Sequence, residues 1–315
     1  MKIYDFIEDM LRYKENLGYS RTSYESFLQD FKRFLVANYP EHETLTEDIM
    51  LQWCQMRETE RASGFRRRAI VLREFSKYLF SINRSECIFP YDLIPKKTKY
   101  TPYIFTDKEL VDFFRVSDCI TATPNSPNRE IIIPIIFRVI YFCGLRPNEG
   151  REILRKDVDL DEGTIIIRKN KSNRERKIPL SEDIKQLCKK YSEQLATLHP
   201  NSDYFFPSPK GNPYSKKWLS TQFNALWNSI KPPIHSHPAR VYDFRHRYAT
   251  AVMMKWIDEK ADLSAMLPYL SAYMGHVNFS DTAYYIHLLP ENLLQTDSID
   301  WKKLSALIPE VEDDE

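Results

Sequence analysis

The segment from Ile131 to Cys143 constrains the fold most, because it is apolar on nearly all of its sides. A helix with this pattern has no polar face to turn toward water, so other elements must surround it. Gly144 follows at once and provides a C-terminal stop. The segment therefore predicts the central buried helix of a domain, with Arg146 held just beyond its rigid end.

Before this segment, residues 3–80 show apolar side chains at helical spacing. The pattern predicts four amphipathic helices, which begin near Ile3, Tyr24, Thr46 and Phe65. The hydroxyl of Thr46 is expected to cap the third helix. The N-terminal part of the chain should therefore form a small helical bundle.

The fourth predicted helix carries the densest group of basic residues in this part of the chain. Because the net charge of the whole chain is only +1, a nucleic-acid interface must be argued from such local placement. The alternative is a solvated polar face. The candidate DNA-binding residues here are Arg66, Arg67, Arg73 and Lys77, with Arg68 beside them.

Helical periodicity breaks between Cys87 and Tyr103, where prolines and lysines predict an extended linker. Its Lys96, Lys97 and Lys99 could follow a phosphate backbone or serve solubility alone. Thr106 and Glu109 then form a capping-box sequence that opens a new helix. The expected organisation is a helical domain at 1–86, a linker at 87–104, a second domain at 105–297 and a C-terminal segment at 298–315.

The second domain should also contain a β-hairpin, formed by Thr164–Ile167 and Lys177–Leu180. Lys171 lies at its polar tip, where a lysine is ordinarily only solvated. Further helices are expected around 184–198 and 216–227. The fold class is therefore mainly α with a small β-sheet (α+β).

Polar residues follow the central helix and recur near the end of the domain. Glu149 lies three residues after Arg146 and can pair with it, although such a pair is often structural. Arg245 follows Tyr242 by three residues, so both can point from one face at a helix start. Gly275 and His276 end a later helical segment, and Tyr285 comes nine residues after His276. Arginine, histidine and tyrosine that converge on one site suit phosphoryl transfer to a tyrosine hydroxyl.

Five short sequences in this order resemble the tyrosine recombinase (phage integrase) family. They are GLRPNE (Gly144 to Glu149), NKSNRERKIPL (Asn170 to Leu180), YDFRH (Tyr242 to His246), MGH (Met274 to His276) and the single residue Tyr285. The resemblance covers almost the whole chain, and the N-terminal helical domain is similar to the core-binding domain of that family.

The resemblance implies DNA strand cleavage and rejoining through a 3′-phosphotyrosyl link to Tyr285, without a cofactor or metal ion. It implies that Arg146 and Arg245 bind the phosphate oxygens, and that Lys171 protonates the leaving 5′-oxygen. His276 would hydrogen-bond a phosphate oxygen. The supporting residues would be Glu149, which holds Arg146, and His246, which steadies the loop beside Arg245.

One position departs from the family pattern, since Tyr242 stands where the family usually has histidine. A phenol is a poor base near neutral pH, with an ordinary pKa of about 10, so an orienting role is expected for Tyr242. Tyr284 is the rival nucleophile. Neighbours on a helix point about 100° apart, so only one can face the site, and the spacing from His276 in the family favours Tyr285.

The implied partners are double-stranded DNA core sites and further copies of this chain, in dimers or tetramers. An accessory DNA-bending or excision factor is a further candidate. The leading function is integration or excision of a mobile element; the alternatives are a catalytically silent DNA-binding relative and a topoisomerase-like DNA relaxing enzyme. An apolar face after the nucleophile, suited to docking on a neighbouring subunit, argues against the last. Its residues are Ile299, Leu304, Leu307 and Ile308.

The cellular location is expected to be the cytoplasm. No apolar run approaches the roughly 18 residues of a membrane span, and the N-terminus lacks the layout of a signal peptide. The five cysteines are scattered and include no Cys-x-x-Cys pair, which is typical of core thiols in a reducing compartment.

Overall fold

The computed structural model describes residues 1–96, 101–168, 175–230 and 238–289. The chain divides into two compact units, Met1–Tyr100 and Thr101–Glu315, and each has a hydrophobic core of its own. A membrane-spanning helix is absent from the described part of the chain. Predicted features at Lys97, Lys99, Lys171 and 298–315 lie outside the described residues.

The first unit is helical, and the four predicted amphipathic helices are confirmed. Leu28, Phe31 and Phe75 lie in their common core. The hydroxyl of Thr46 accepts a hydrogen bond from the backbone N–H of Ile49, at 3.4 Å, and so caps the third helix as expected. The helices are α1 (Phe6–Asn16), α2 (Glu25–Asn38), α3 (Glu47–Trp53) and α4 (Ala62–Ser81).

Arg68 on α4 is buried, so its assignment to an exposed basic patch is wrong. Its side chain is 1% exposed and pairs with Glu60 through Nη2, at 2.6 Å, and Nε, at 3.0 Å. The same guanidinium donates to the carbonyls of Trp53 and Gln55. Its charge is balanced inside the unit, because a buried cation is tolerated only when it is paired.

The segment predicted as an extended linker packs against protein at both ends. Phe89 and Ile94 are buried in the core of the first unit, whereas Tyr103 belongs to the core of the second. Arg66 and Arg73 donate to the carbonyls of Pro95 and Phe89. The prolines led to the prediction of an extended segment. The apolar side chains between them are nevertheless buried, because removing apolar surface from water is favourable. Some of the N–H donors of these two arginines are therefore already bonded to carbonyls of the first unit.

The second unit combines helices with a small antiparallel sheet in the order β1-β2-β3. The predicted hairpin is confirmed, with Ile165 of β2 opposite Ile178 of β3. The capping box at Thr106 and Glu109 is also present. The helices are α5 (Asp107–Asp118), α6 (Arg129–Phe142), α7 (Pro147–Arg151), α8 (Glu182–Leu198), α9 (Lys216–Ser229), α10 (Asp243–Asp258), α11 (Leu263–Met274) and α12 (Ser280–Ala283); the strands are β1 (Val158–Asp159), β2 (Thr164–Ile167) and β3 (Arg176–Pro179).

Helix α6 is the predicted central helix, and its end is fixed by contact with α10. Ile136, Phe137 and Ile140 have no exposed surface. Gly144 follows with a φ of +58°, and a Cβ at this position would lie 2.5 Å from the ring of Tyr248. Only glycine satisfies both the left-handed backbone and this close approach. The chain therefore leaves α6 in a defined direction and carries Arg146 to the start of α7.

Candidate active site

Arg146 and Glu149 form a compact pair at the start of α7. Pro147 occupies the first helical position, and the carboxylate of Glu149 reaches back to accept from the backbone N–H of Arg146 at 2.9 Å. Arg146 Nη1 donates to the same carboxylate at 2.8 Å, and Nη2 donates to the carbonyl of Gly275 at 3.1 Å. The Arg146 side chain remains 19% exposed, so it is fixed but still accessible to a ligand.

Arg245 lies on the first turn of α10 and is fully buried. It donates through Nη1 to the carbonyl of Gly144, at 2.8 Å, and through Nη2 to the carbonyl of Met274. Its Nε has no hydrogen-bond partner within the described residues. Burial lowers the pKa of Arg245 from its ordinary value, although a guanidinium stays charged in a protein. The cation thus connects the ends of α6 and α11.

His276 is neutral in this arrangement. Its Nε2 lies 3.0 Å from Nη2 of Arg245, and its Nδ1 lies 2.7 Å from the hydroxyl of Thr282. Arginine can only donate, so Nε2 is the acceptor and Nδ1 carries the proton toward Thr282. Burial and the nearby arginines, chiefly Arg245, lower the pKa of His276 to about 3.

Tyr285 packs against the histidines of the site, whereas Tyr284 is 39% exposed. The ring of Tyr285 is 5.8 Å from that of His276 and 5.6 Å from that of His246, centre to centre. Burial raises the pKa of Tyr285 to about 12, although Arg245 acts in the opposite direction. The phenol is therefore protonated near neutral pH before DNA binds.

Tyr242 and His246 pack against each other, with 5.2 Å between their ring centres. Burial lowers the pKa of His246 to about 4, and in the described part of the chain its Nδ1 has no hydrogen-bond partner. Tyr242 is 36% exposed. Its phenol interacts with Arg146 and helps to raise the pKa of that arginine, after the larger effects of burial and Glu149.

Arg176 on β3 is a site residue that the sequence interpretation missed. Its Nη1 and Nη2 donate to the two carboxylate oxygens of Glu149, at 3.0 and 2.7 Å, and its Nε donates to the carbonyl of Tyr273 at 2.8 Å. A signal was present in the strand: Arg176 alternates with Lys177 and shares a face with the buried Ile178. An arginine on the inward face of a strand requires a buried acid.

The structure thus brings six of the predicted residues together in one site, which contains one carboxylate, that of Glu149, and the phenol of Tyr285. These are Arg146, Glu149, Tyr242, Arg245, His276 and Tyr285, with His246 in ring contact. Within residues 1–96, 101–168, 175–230 and 238–289, no group of three or more His, Cys, Asp or Glu side chains could hold a metal ion.

The phage integrase family model matches residues 112–292, which is more than half of the chain. The chain belongs to the phage integrase family. Its enzyme class is that of the site-specific tyrosine recombinases. The predicted family and α+β fold are confirmed.

The relatives agree with this assignment, and the solved structures share the fold. The integrase/recombinase y4rB named in Sinorhizobium fredii is 28% identical over 90% of this chain and 92% of its own length. The tyrosine recombinase XerC of Staphylococcus epidermidis is 26% identical over 93% and 94% of the two chains. A lambda integrase dimer bound to a COC′ core site shares the fold, with a TM-score of 0.67 at 14% identity over 90% of this chain and 95% of that chain.

Proposed function

We propose that this recombinase cleaves and rejoins double-stranded DNA at core sites, with Tyr285 as the nucleophile. The observation that carries the assignment is the burial of the Tyr285 ring against His276, which is itself bonded to Arg245. Tyr284 does not share this burial. Of the two adjacent tyrosines, Tyr285 is therefore the one that lies beside His276 and Arg245, the groups that we propose bind the phosphate.

The charge balance of the site favours an anionic ligand. Arg146, Arg176 and Arg245 surround a single carboxylate, that of Glu149. Arg146 and Arg245 each offer a guanidinium to the nonbridging oxygens of a phosphate. Fixed donors of this kind stabilise charge that develops in the transition state, at about 10² to 10³ in rate per donor.

The proposed cleavage forms one phosphorus–oxygen bond and breaks another. Tyr285 Oη attacks the phosphorus, and the bond to the 5′-oxygen breaks. Lys171 supplies a proton to that leaving oxygen, and the proton of Tyr285 passes to solvent. His246 packs against the phenol ring in a supporting role. Attack by the 5′-hydroxyl of a second strand reverses these steps and rejoins the DNA.

DNA binding should also change the protonation of His276. Its Nε2 accepts from Arg245, so it has no proton to give to a phosphate oxygen in this state. A bound phosphate would raise the pKa of the imidazole and draw Arg245 toward itself. His276 could then take up a proton and donate from Nε2.

The biological role that we propose is integration or excision of a mobile element in the cytoplasm, by two or four copies of the chain on DNA. The names of the relatives and the DNA-bound dimer of lambda integrase support this proposal. The proposal also includes an accessory DNA-bending factor and docking of residues 298–315 on a neighbouring subunit.

The test is covalent capture on nicked duplexes that carry the DNA flanking the gene. The parent protein and Tyr284→Phe should form a covalent complex, whereas Tyr285→Phe should form none and still bind DNA. Capture that survives in Tyr285→Phe and vanishes in Tyr284→Phe would reverse the assignment. A parent that binds but never captures these duplexes would favour the catalytically silent alternative.

A further inference from the structure

We infer that Arg176 is a positioning residue that balances the charge of Glu149, so that Arg146 keeps its own positive charge for the DNA phosphate. This inference rests on the proposed function. It gives a role to a buried arginine that does not itself need to touch the substrate.

The carboxylate of Glu149 is saturated by hydrogen bonds, and Arg176 provides half of those described. Two come from Arg176 Nη1 and Nη2, one from Arg146 Nη1 and one from the Arg146 backbone. The Glu149 side chain is only 3% exposed. Burial acts to raise the pKa of Glu149, but Arg176, together with Arg146 and Arg245, holds this pKa below the ordinary value.

Arg176 and Arg146 differ in what they can still bind. All three guanidinium nitrogens of Arg176 are engaged, and its side chain is 9% exposed. Arg146 is 19% exposed, and it donates through Nη1 to Glu149 and through Nη2 to the carbonyl of Gly275. An isolated Arg146–Glu149 pair would be neutral, whereas a second arginine on the same carboxylate leaves one positive charge over. The accessible member, Arg146, is the one that can present this charge to a phosphate.

Arg176 also holds the turn that carries His276. Its Nε donates to the carbonyl of Tyr273 in the last turn of α11. A Cβ at Gly275 would lie 3.0 Å from Arg176 Nη1, so the turn passes directly over the guanidinium. Arg176 therefore links β3 to Glu149 and to the backbone beside His276.

The decisive experiment compares single-turnover covalent capture by four variants, with folding checked by circular dichroism. Arg176→Met should slow capture about tenfold to a hundredfold, as loss of a supporting hydrogen-bond partner does at other sites. Arg176→Lys keeps the charge and should recover part of the rate. Arg176→Met combined with Glu149→Gln should be faster than Arg176→Met alone, because the uncompensated carboxylate is gone. A purely structural role would not be rescued in this way.

The matched control is Arg168→Met. Arg168 follows β2 and pairs with the buried Asp157 at 2.6 Å, without contact to Glu149 in the hydrogen bonds and ion pairs of the described residues. It should capture DNA at the parent rate. Parental capture by Arg176→Met, or a double variant no faster than Arg176→Met, would overturn the inference.

A measurement without DNA separates this inference from the proposed function. A lowered pKa of Glu149 means that its contribution to stability is present above the ordinary value of 4.5 and is lost as pH falls through the folded value. Arg176→Met should raise that pKa, so acid unfolding should begin at higher pH, and Glu149→Gln should remove the shift. A parent protein that captures no DNA overturns the proposed function, but the acid-unfolding measurement still tests the Arg176–Glu149 coupling. If Arg176→Met unfolds in acid at the same pH as the parent, the inference about Arg176 is overturned.

Discussion

Two arginines of equal burial, one in each unit, have opposite electrostatic surroundings. Arg68 in the first unit is 1% exposed and Arg245 in the second is fully buried. Among the described ion pairs, Glu60 pairs with Arg68 and with no second arginine, at 2.6 Å. The carboxylate near Arg245 is Glu149, at 4.0 Å, and it is already bonded to two other arginines. A buried arginine with its own counter-ion stabilises a fold, whereas one that shares a counter-ion retains charge for a ligand.

The largest effect is expected from Arg245→Lys. Lysine keeps the charge but loses the planar fork that donates to two carbonyls and to His276. Covalent capture should fall about 10²- to 10³-fold, the usual loss for one transition-state donor. Rates on nicked duplexes at saturating protein measure this, and Arg68→Lys is the matched control. Equal losses in the two variants would remove the distinction between the units.

The reverse effect should appear in stability. Arg68→Met leaves the carboxylate of Glu60 without its guanidinium and should lower the free energy of unfolding by about 3 to 5 kcal/mol, as in other broken buried pairs. Denaturant unfolding followed by circular dichroism measures the loss. Capture by the folded fraction should be unchanged. A fully stable Arg68→Met protein would show that this pair does not hold the first unit together.

Acid should destabilise the second unit through His246. Its pKa is about 4 in the fold and 6.5 as an ordinary value, so the unfolded chain binds more protons between these values. Stability is therefore lost as pH falls from 6.5 toward 4, by on the order of 3 kcal/mol. His246→Phe should flatten this slope in unfolding experiments. An unchanged slope would mean that the histidine is not held neutral by burial.

The smallest effect concerns the exposed basic residues of α4. Arg67 and Lys77 are exposed, whereas Arg66 and Arg73 already donate to backbone carbonyls. Changing Arg67 and Lys77 to glutamine should lower the slope of log affinity against log salt by roughly 2, about one for each phosphate contact. Arg66→Gln with Arg73→Gln should lower it less. A larger loss of slope in the Arg66 and Arg73 variant would instead assign the DNA contact to these two arginines, which also bond the carbonyls of Phe89 and Pro95.

Much of the fold could be predicted because its signals are local. Helical spacing in α1, α2 and α4, the caps at Thr46 and Thr106, and the glycine after α6 each depend on residues a few positions apart. The environment of Arg68 could not be predicted, because it depends on Glu60 and on carbonyls that only folding brings near. Burial of Phe89 and Ile94 was hidden for the same reason.

By itself, the sequence determined the order of the site: Arg146 after a central helix, Arg245 on a helix start, His276 after Gly275, and Tyr285 beyond. Tertiary structure decided what these groups are chemically. It made His276 Nε2 the acceptor of a hydrogen bond from Arg245, raised the pKa of the Tyr285 phenol, and placed Arg176 against Glu149. Protonation and charge balance depend on desolvation and on partners distant in the chain, and neither is encoded in the spacing of neighbouring residues.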